Sequence, residues 1–391
     1  MKIEFYRHNI EETDIKKAVE VLHSIFLTTG PTTAEFEQKF SRYVGLKETV
    51  GVNSCTGALH LSLLALGIGP GDEVITTPMT FIASATSILH AGAKPVLVDV
   101  EEDTGLMDVS KIEGAVTPRT KAIMPVHLYG SMVDMIALRA IADRHNLKIV
   151  EDSAHCIEGE RDGVRPGQLS DAACYSFYAT KNLTCGEGGA IATNNSELAE
   201  KFRILRTHGM SKDAIGRYSD KYRHWDMVLL GWKYNLSDIA AALLVRQIDR
   251  LDQYWQRRQA ICKMYNKGLA NIPGVKVPDV KGKSASHLYT IWVDPDKRDG
   301  VLHGLQENGI GAAVNYRAIH TLTYLRERFG FKPEDFPVAN LIGERTISLP
   351  LYPALKDHEV EYVIDTLGKV LGSTATEDIK ATKSYGHSRV R

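Results

Sequence analysis

Residues 173–193 read Ala173-Cys-Tyr-Ser-Phe-Tyr-Ala-Thr-Lys-Asn-Leu-Thr-Cys-Gly-Glu-Gly-Gly-Ala-Ile-Ala-Thr193. Two short apolar runs, Ala173–Phe177 and Gly189–Thr193, bracket a polar turn with one lysine, Lys181, and a return rich in glycine. Runs of this length between turn residues are the pattern of strands buried on both faces. Working outward, the same kind of run recurs at Val50–Asn53, Glu73–Thr77, Pro95–Val100, Ala122–Val126 and Lys148–Glu151. Helical patterns lie between and around them, at Gly57–Leu66, Phe81–Ala91, Met135–His145 and Ser196–Arg206. This alternation predicts an α/β fold: a wound, mostly parallel sheet with right-handed crossovers. Gly67-Ile-Gly-Pro-Gly71 precedes a strand instead of opening a helix, so it reads as a turn and not as a dinucleotide loop.

The pattern changes after Tyr234. Leu236, Ile239, Ala240, Leu243, Leu244, Ile248 and Leu251 recur at helical spacing and continue through Trp255, Ile261 and Tyr265. One long helix, or two in succession, is expected from a cap at Asn235 or Ser237. A strand at His287–Val293 and helices at Gly300–Asn308 and Asp357–Leu371 follow, with Gly/Pro turns. At 391 residues the chain exceeds what one core usually holds, about 250–300 residues. The expected division is a large domain over 1–245, a smaller α/β domain over 246–372 and a flexible polar tail over 373–391.

Composition narrows the function classes. Hydrophobic residues make up 43% and charged ones 24%, and the net charge is −1, so no global field favours nucleic acid or an anionic membrane. The N-terminus lacks the apolar segment of a signal peptide, and no run has the roughly 18 apolar residues of a membrane span. Cys55, Cys156, Cys174, Cys185 and Cys262 are odd in number and scattered, which fits reduced thiols in the cytoplasm. No metal site is expected, because no histidine stands beside paired cysteines or in H-E-x-x-H.

Three segments could carry chemistry. Lys181 follows a strand and precedes Gly186, Gly188 and Gly189; its amine could form a Schiff base, or it could be a surface lysine beside a hairpin. In Lys148-Ile-Val-Glu-Asp-Ser-Ala-His155 the strand ends in Glu151-Asp152, at the carboxyl edge where open α/β sheets bind ligands. Asp152 could hold a pyridinium N–H or merely cap a helix. Asn53-Ser-Cys-Thr-Gly57 opens a helix whose amides, at Thr56 and Gly57, could bind phosphate or serve only as an N-terminus. A phosphate cup, a strand-end aspartate and a strand-end lysine on one wound sheet are together what pyridoxal phosphate (PLP) requires.

At these residues the chain resembles the DegT/DnrJ/EryC1/StrS sugar-nucleotide aminotransferases, which have the PLP-dependent transferase fold type I (aspartate aminotransferase-like). The likeness runs from Thr28-Thr-Gly-Pro31 to Ser348-Leu-Pro-Leu-Tyr-Pro353. Its carriers include Pro78-Met-Thr-Phe-Ile-Ala83, Pro125-Val-His-Leu-Tyr-Gly130, Glu151-Asp-Ser-Ala-His155, Ser176-Phe-Tyr-Ala-Thr-Lys-Asn182, Lys233-Tyr-Asn-Leu-Ser-Asp-Ile239 and Asn315-Tyr-Arg-Ala-Ile-His320. The resemblance implies that Lys181 carries the Schiff base, Asp152 pairs with the ring nitrogen, Phe81 stacks on the ring and His155 lies near its phenolic oxygen. It implies that Thr56, Gly57 and Ser176 hold the phosphate, with Asn235 reaching in from the second subunit of a homodimer. Thr28, Thr29, Tyr316 and His320 match substrate-binding positions. The implied reaction moves an amino group from L-glutamate to a nucleotide-linked keto sugar. Ala179–Gly189 resembles the subgroup that aminates C4 of UDP-4-keto sugars; C3 amination of a dTDP- or UDP-3-keto sugar is the alternative. A PLP-dependent sugar dehydratase is a further one, though such relatives carry histidine in place of Lys181.

Overall fold

Seven strands form one sheet in the computed structural model, which describes residues 1–211 and 224–385, with side chains described as far as residue 372. They are β1 (Glu48–Val52), β2 (Glu73–Thr76), β3 (Lys94–Leu97), β4 (Thr120–Ile123), β5 (Lys148–Asp152), β6 (Ala172–Ser176) and β7 (Gly189–Thr193). Every strand expected between Val50 and Thr193 is present, within a few residues of its expected ends. The spatial order is β1-β7-β6-β5-β4-β2-β3, with β7 antiparallel to both neighbours and all other pairings parallel. The connection from β6 to β7 contains no helix, so the chain turns back and pairs antiparallel instead of crossing over.

Helices cover both faces: α1 (Glu12–Leu22), α2 (Pro31–Val44), α3 (Cys55–Ala65), α4 (Ala83–His90), α5 (Ile112–Ala115), α6 (Met135–Arg144), α7 (Ser196–Leu205), α8 (Asp238–Val245) and α9 (Leu251–Leu269). Period-2 alternation divides the strands between two cores. Ala172 and Cys174 of β6 pack with α3 and α7, while Ala173 and Tyr175 face Phe36 and Phe40 of α2. That second face includes Phe40 edge-on to Tyr175 and Phe177, with ring centroids 5.1 and 5.4 Å apart.

The expected helical stretch after Tyr234 is two helices, α8 and α9, parted by a single 3₁₀ turn at Gln247–Arg250. Of the two candidate caps, Ser237 is the one used: its hydroxyl accepts from the Ala240 amide at 3.2 Å. Asp238, next in the chain, caps a different helix. Its carboxylate accepts from the amides of Gly30, Thr32 and Thr33 at the start of α2, at 2.8, 3.1 and 2.8 Å. The dipole of α2 favours that charge, and the contact ties residues 28–33 to the segment around Asn235.

A separate core follows. β8 (Tyr289–Trp292) pairs antiparallel with β9 (Thr346–Leu349), flanked by α10 (Arg298–Glu307) and α13 (Asp357–Tyr385), whereas α11 (Thr323–Phe329) and α12 (Pro337–Arg345) send Leu325, Ala339 and Ile342 into clusters with residues of the large sheet. Ile261 and Tyr265 of α9 join Ile291, Val301, Val360 and Val363 in the separate core. Ile3 belongs to this core too, bridging to Ile310, so the first residues of the chain pack on its C-terminal part and not on the large sheet. The tail expected from 373 begins instead as a continuation of α13, as a stretch without Gly or Pro through Tyr385 permits; its last residues, 386–391, lie outside the described ones. Among the described residues no helix is long and apolar enough to cross a membrane.

Candidate active site

The carboxyl ends of β5 and β6, neighbours in the sheet, open into one cavity of about 540 Å³. Asp152 is the last residue of β5, Ser176 the last of β6, and Lys181 follows β6 by one turn. Alternation sends the two acidic residues of β5 to opposite faces. Asp152 lines the cavity, whereas Glu151 is wholly buried, 2.6 Å from Nε2 of His127 and accepting from the Gly167 amide.

The Asp152 carboxylate is held from two sides. Oδ2 accepts from the Ser84 hydroxyl at 2.7 Å, and Oδ1 accepts from the Ala154 amide at 3.2 Å. Because Ser84 spends its proton on the carboxylate, Thr80, 2.7 Å from Ser84, donates to Ser84 in turn. No helix starts beyond Asp152, so its contact with Ala154 closes a tight turn and leaves the carboxylate aimed into the cavity. Burial pushes its carboxyl up, and Ser84, Ala154 and the nearby Lys181 oppose that rise.

Burial also pulls the Lys181 amine down to about 8, with Cys55 and Asp152 opposing. Its Nζ lies 3.5 Å from Nε2 of His287. His155 stands beside them, its ring centroid 4.4 Å from that of His287. Its Nδ1 accepts from the Tyr129 amide at 3.3 Å, which places its proton on Nε2, 3.2 Å from the Tyr316 hydroxyl. Tyr129 presents that amide from a left-handed backbone, φ +59°. Burial first, then the Lys181 charge, holds both histidines well below their usual range, so both are neutral at pH 7.

The N-terminus of α3 also opens into the cavity. Ser54, Cys55 and Thr56 line it, with Glu187 and Gly188 from the turn before β7. Gly189 makes that approach possible, since a Cβ there would fall 2.5 Å from the backbone carbon of Ser54. Gly57 does not line the cavity: its amide is donated to the Ser54 hydroxyl at 3.0 Å, the N-cap bond of α3. Phe81 stands half-exposed at the rim, its ring 5.8 Å from that of Tyr316.

Seven of the expected site residues therefore meet in one cavity: Thr56, Phe81, Asp152, His155, Ser176, Lys181 and Tyr316. His320 does not join them. It is fully buried against Phe336 at 5.0 Å, because Ile319 and Leu325 on either side draw this turn into an apolar cluster. Thr28, Thr29 and Asn235 also lie outside the cavity, but together: the Asn235 amide donates to the hydroxyls of Thr28 and Thr29 at 3.1 and 2.7 Å. Sequence reasoning missed Ser54, Glu187 and above all His287. His287 gave no comparable signal: it stands at the start of an expected strand, the opposite end from the one that made Asp152 a candidate.

The cavity fits PLP on its own chemistry. An acceptor fixed by Ser84 and Ala154 suits a protonated ring nitrogen, an amine pulled down to about 8 suits a Schiff base, and a helix N-terminus flanked by hydroxyls suits a phosphate.

Comparisons with known proteins agree. Residues 8–368 match the model of the DegT/DnrJ/EryC1/StrS aminotransferase family. The spore coat polysaccharide biosynthesis protein SpsC of Bacillus subtilis (strain 168) is 43% identical over 370 residues, 93% of this chain and 95% of that protein. Among solved structures, the PLP form of the putative sugar aminotransferase Spr1654 from Streptococcus pneumoniae superposes with a TM-score of 0.88 at 34% identity, covering 95% of this chain and 98% of that one. Helicobacter pylori PseC, an aminotransferase involved in pseudoaminic acid biosynthesis, gives a TM-score of 0.89 at 29% identity over 95% and 100% of the two chains.

Proposed function

This chain belongs to the DegT/DnrJ/EryC1/StrS aminotransferase family and is a PLP-dependent sugar transaminase, and from that premise we propose that it moves the amino group of L-glutamate to C4 of a UDP-linked 4-keto sugar. The observation that carries the amine chemistry is the meeting of Lys181 and Asp152 in one cavity at the ends of adjacent parallel strands. The finer choice of C4 and of UDP rests on the run Ala179–Gly189.

The side chains divide the work. Ser54, Thr56 and Ser176, with the dipole of α3, would hold the cofactor's phosphate, Asp152 would keep its ring nitrogen protonated, and Phe81 would pack against the ring. When bound, PLP supplies an electron sink for the charge that develops at the substrate carbon. Lys181, low enough in basicity to be a substantial fraction free amine at pH 7–8, takes and returns the proton that moves during amino transfer. His155 stays neutral and directs its Nε2 proton to Tyr316, which steadies the outer wall of the cavity.

The site is completed by a second copy of the chain. Supporting this, Asn235, Thr28 and Thr29 form an ordered polar cluster outside their own cavity, in stretches that also expose Ile25, Leu27, Leu229 and Leu230. In a two-fold dimer the Asn235 amide and the two threonine hydroxyls serve the partner's phosphate and substrate.

The test incubates the enzyme with L-glutamate and a panel of UDP-, GDP- and dTDP-linked 4-keto sugars and identifies the amino product by NMR. Glutamate-dependent formation of a UDP-4-amino sugar is expected. Amination at C3, or preference for another nucleotide, overturns the finer assignment; water loss without amination overturns the transfer reaction itself.

A further inference from the structure

We infer that His287 is a positioning residue for Lys181: a hydrogen-bond acceptor, fixed in one tautomer by a buried relay from α9, that holds the lysine amine in the orientation from which it exchanges protons. This rests on the reading of Lys181 as the amine that does the chemistry.

The relay has four links. Arg258 of α9, fully buried, pairs with the buried carboxylate of Glu158 at 2.6 Å. The other oxygen of Glu158 accepts from Nδ2 of Asn182 at 3.1 Å, and Nδ2 also meets the Ala285 carbonyl at 3.2 Å. Asn182 Oδ1 lies 3.3 Å from Nδ1 of His287, and His287 Nε2 lies 3.5 Å from Nζ of Lys181.

The direction of every hydrogen follows from donor and acceptor chemistry. A carboxylate paired with a guanidinium cannot donate, and neither can a carbonyl, so both must face the amide nitrogen of Asn182. That leaves the Asn182 oxygen toward His287, and an oxygen acceptor there requires the His287 proton on Nδ1. Nε2 is then an unprotonated acceptor aimed at Lys181, whose N–H donates to it. The 3.5 Å separation is at the long end for such a bond.

The surrounding charges keep the arrangement in one state. His287 faces Lys181, His155 and Arg258; burial and these neighbours hold it well below its usual range, so it does not take a second proton and lose its acceptor. Lys181 faces Cys55 and Asp152 besides His287. The consequence is an amine with one hydrogen pinned and its remaining freedom directed into the cavity. Asn182 follows Lys181 in the chain, so the same turn carries the lysine and the group that fixes its holder.

Two substitutions at His287 differ by one methylene and separate this role from packing. In His287→Gln the amide oxygen reaches the place of Nε2; in His287→Asn it reaches only the place of Nδ1. In the full-length, cofactor-free chain, trace acetylation of Lys181 across pH, read by mass spectrometry, reports its titration. His287→Asn should lower the midpoint by about one pH unit, because the ammonium loses an acceptor, while His287→Gln stays close to wild type. In the holoenzyme, the single-turnover reaction with L-glutamate should slow about 10- to 100-fold in His287→Asn and only a few-fold in His287→Gln. Asn182→Leu, which releases the tautomer, should shift the Lys181 midpoint in the same direction as His287→Asn. Equal behaviour of the Gln and Asn variants, or an unmoved midpoint in both His287→Asn and Asn182→Leu, overturns the inference. The acetylation readout needs no turnover, so it stands apart from Lys181→Ala: turnover surviving in that variant would refute the chemistry assigned to Lys181 while leaving the contact itself measured.

Discussion

The wall of the cavity around Lys181 and the cluster around Asn235 are both built from polar side chains, yet they differ in every physical respect. Around Lys181 the groups are buried and their hydrogens are assigned: Asp152 by Ser84 and Ala154, His155 by Tyr129, His287 by Asn182. Burial there moves acidities, lowering the Lys181 amine and both histidines and raising Asp152. Around Asn235 the side chains of Thr28, Thr29 and Asn235 are exposed or half-exposed, none of them titrates, and the flanking stretches include exposed apolar residues. A chain that orders three polar residues at its surface beside uncovered hydrophobics has prepared a surface for something else to cover. Under the proposed dimer, the first region supplies the cavity and the second supplies the polar groups that a partner copy's cavity receives.

The contrast breaks most sharply at Lys181. Lys181→Ala should lower turnover by at least about 10²–10⁴-fold, the range of a positioned acid–base group, and abolish covalent attachment of the cofactor. Steady-state rates and mass spectrometry after borohydride reduction check this; a variant with near-normal turnover would place the chemistry elsewhere. Asp152→Asn keeps the shape and removes the charge. Losing a buried, hydrogen-bonded charge costs about 2–4 kcal/mol, or roughly 30- to 1,000-fold in the proton-transfer step. Stopped-flow measurement of the glutamate reaction decides, and an unchanged rate removes Asp152 from the mechanism.

The exposed region is sharpened by complementation. A Lys181→Ala chain and an Asn235→Ala chain, unfolded and reassembled together, should show more activity than either parent. With shared sites, one site of the mixed dimer carries both defects and the other carries neither. If Asn235 serves its own chain, each site carries one defect and no recovery appears.

The smallest effect is on stability against pH. His155 and His287 are neutral in the fold, but the unfolded chain protonates them near pH 6.5. The unfolded state therefore binds more protons as pH falls below 6.5, and stability should decline by up to about 1.4 kcal/mol per pH unit for each histidine. Asp152, raised in the fold, acts oppositely and offsets part of the loss at lower pH. Thermal melts between pH 7.5 and 5 should show the decline, and His287→Gln should make it shallower. Parallel slopes in the two proteins would mean that His287 is not buried as a neutral ring.

Much of this was legible in the chain. Strands β1 to β7 declare themselves because a sheet covered on both faces needs continuous apolar runs, and those runs are punctuated by glycine and polar turns. β9 and the helices α11 and α12 did not, because their segments between Asn308 and Leu349 mix apolar and polar residues without a clean period, and packing decides them. Gly57 and His320 show a second kind of opacity. Their residue types suited a phosphate cup and a substrate contact, but an N-cap hydroxyl took the Gly57 amide and an apolar cluster took His320.

The sequence by itself determined which residues could do the chemistry and in what order they meet the sheet edge, since strand ends follow from periodicity and motifs are contiguous. Only the tertiary structure decided how those residues are tuned. His287 lies 106 residues from Lys181, and Glu158 and Arg258 lie 100 residues apart. Contacts across such separations leave no local pattern, yet the depth of burial and the direction of each hydrogen, which set the acidity of Lys181 and the tautomer of His287, exist only once they have formed.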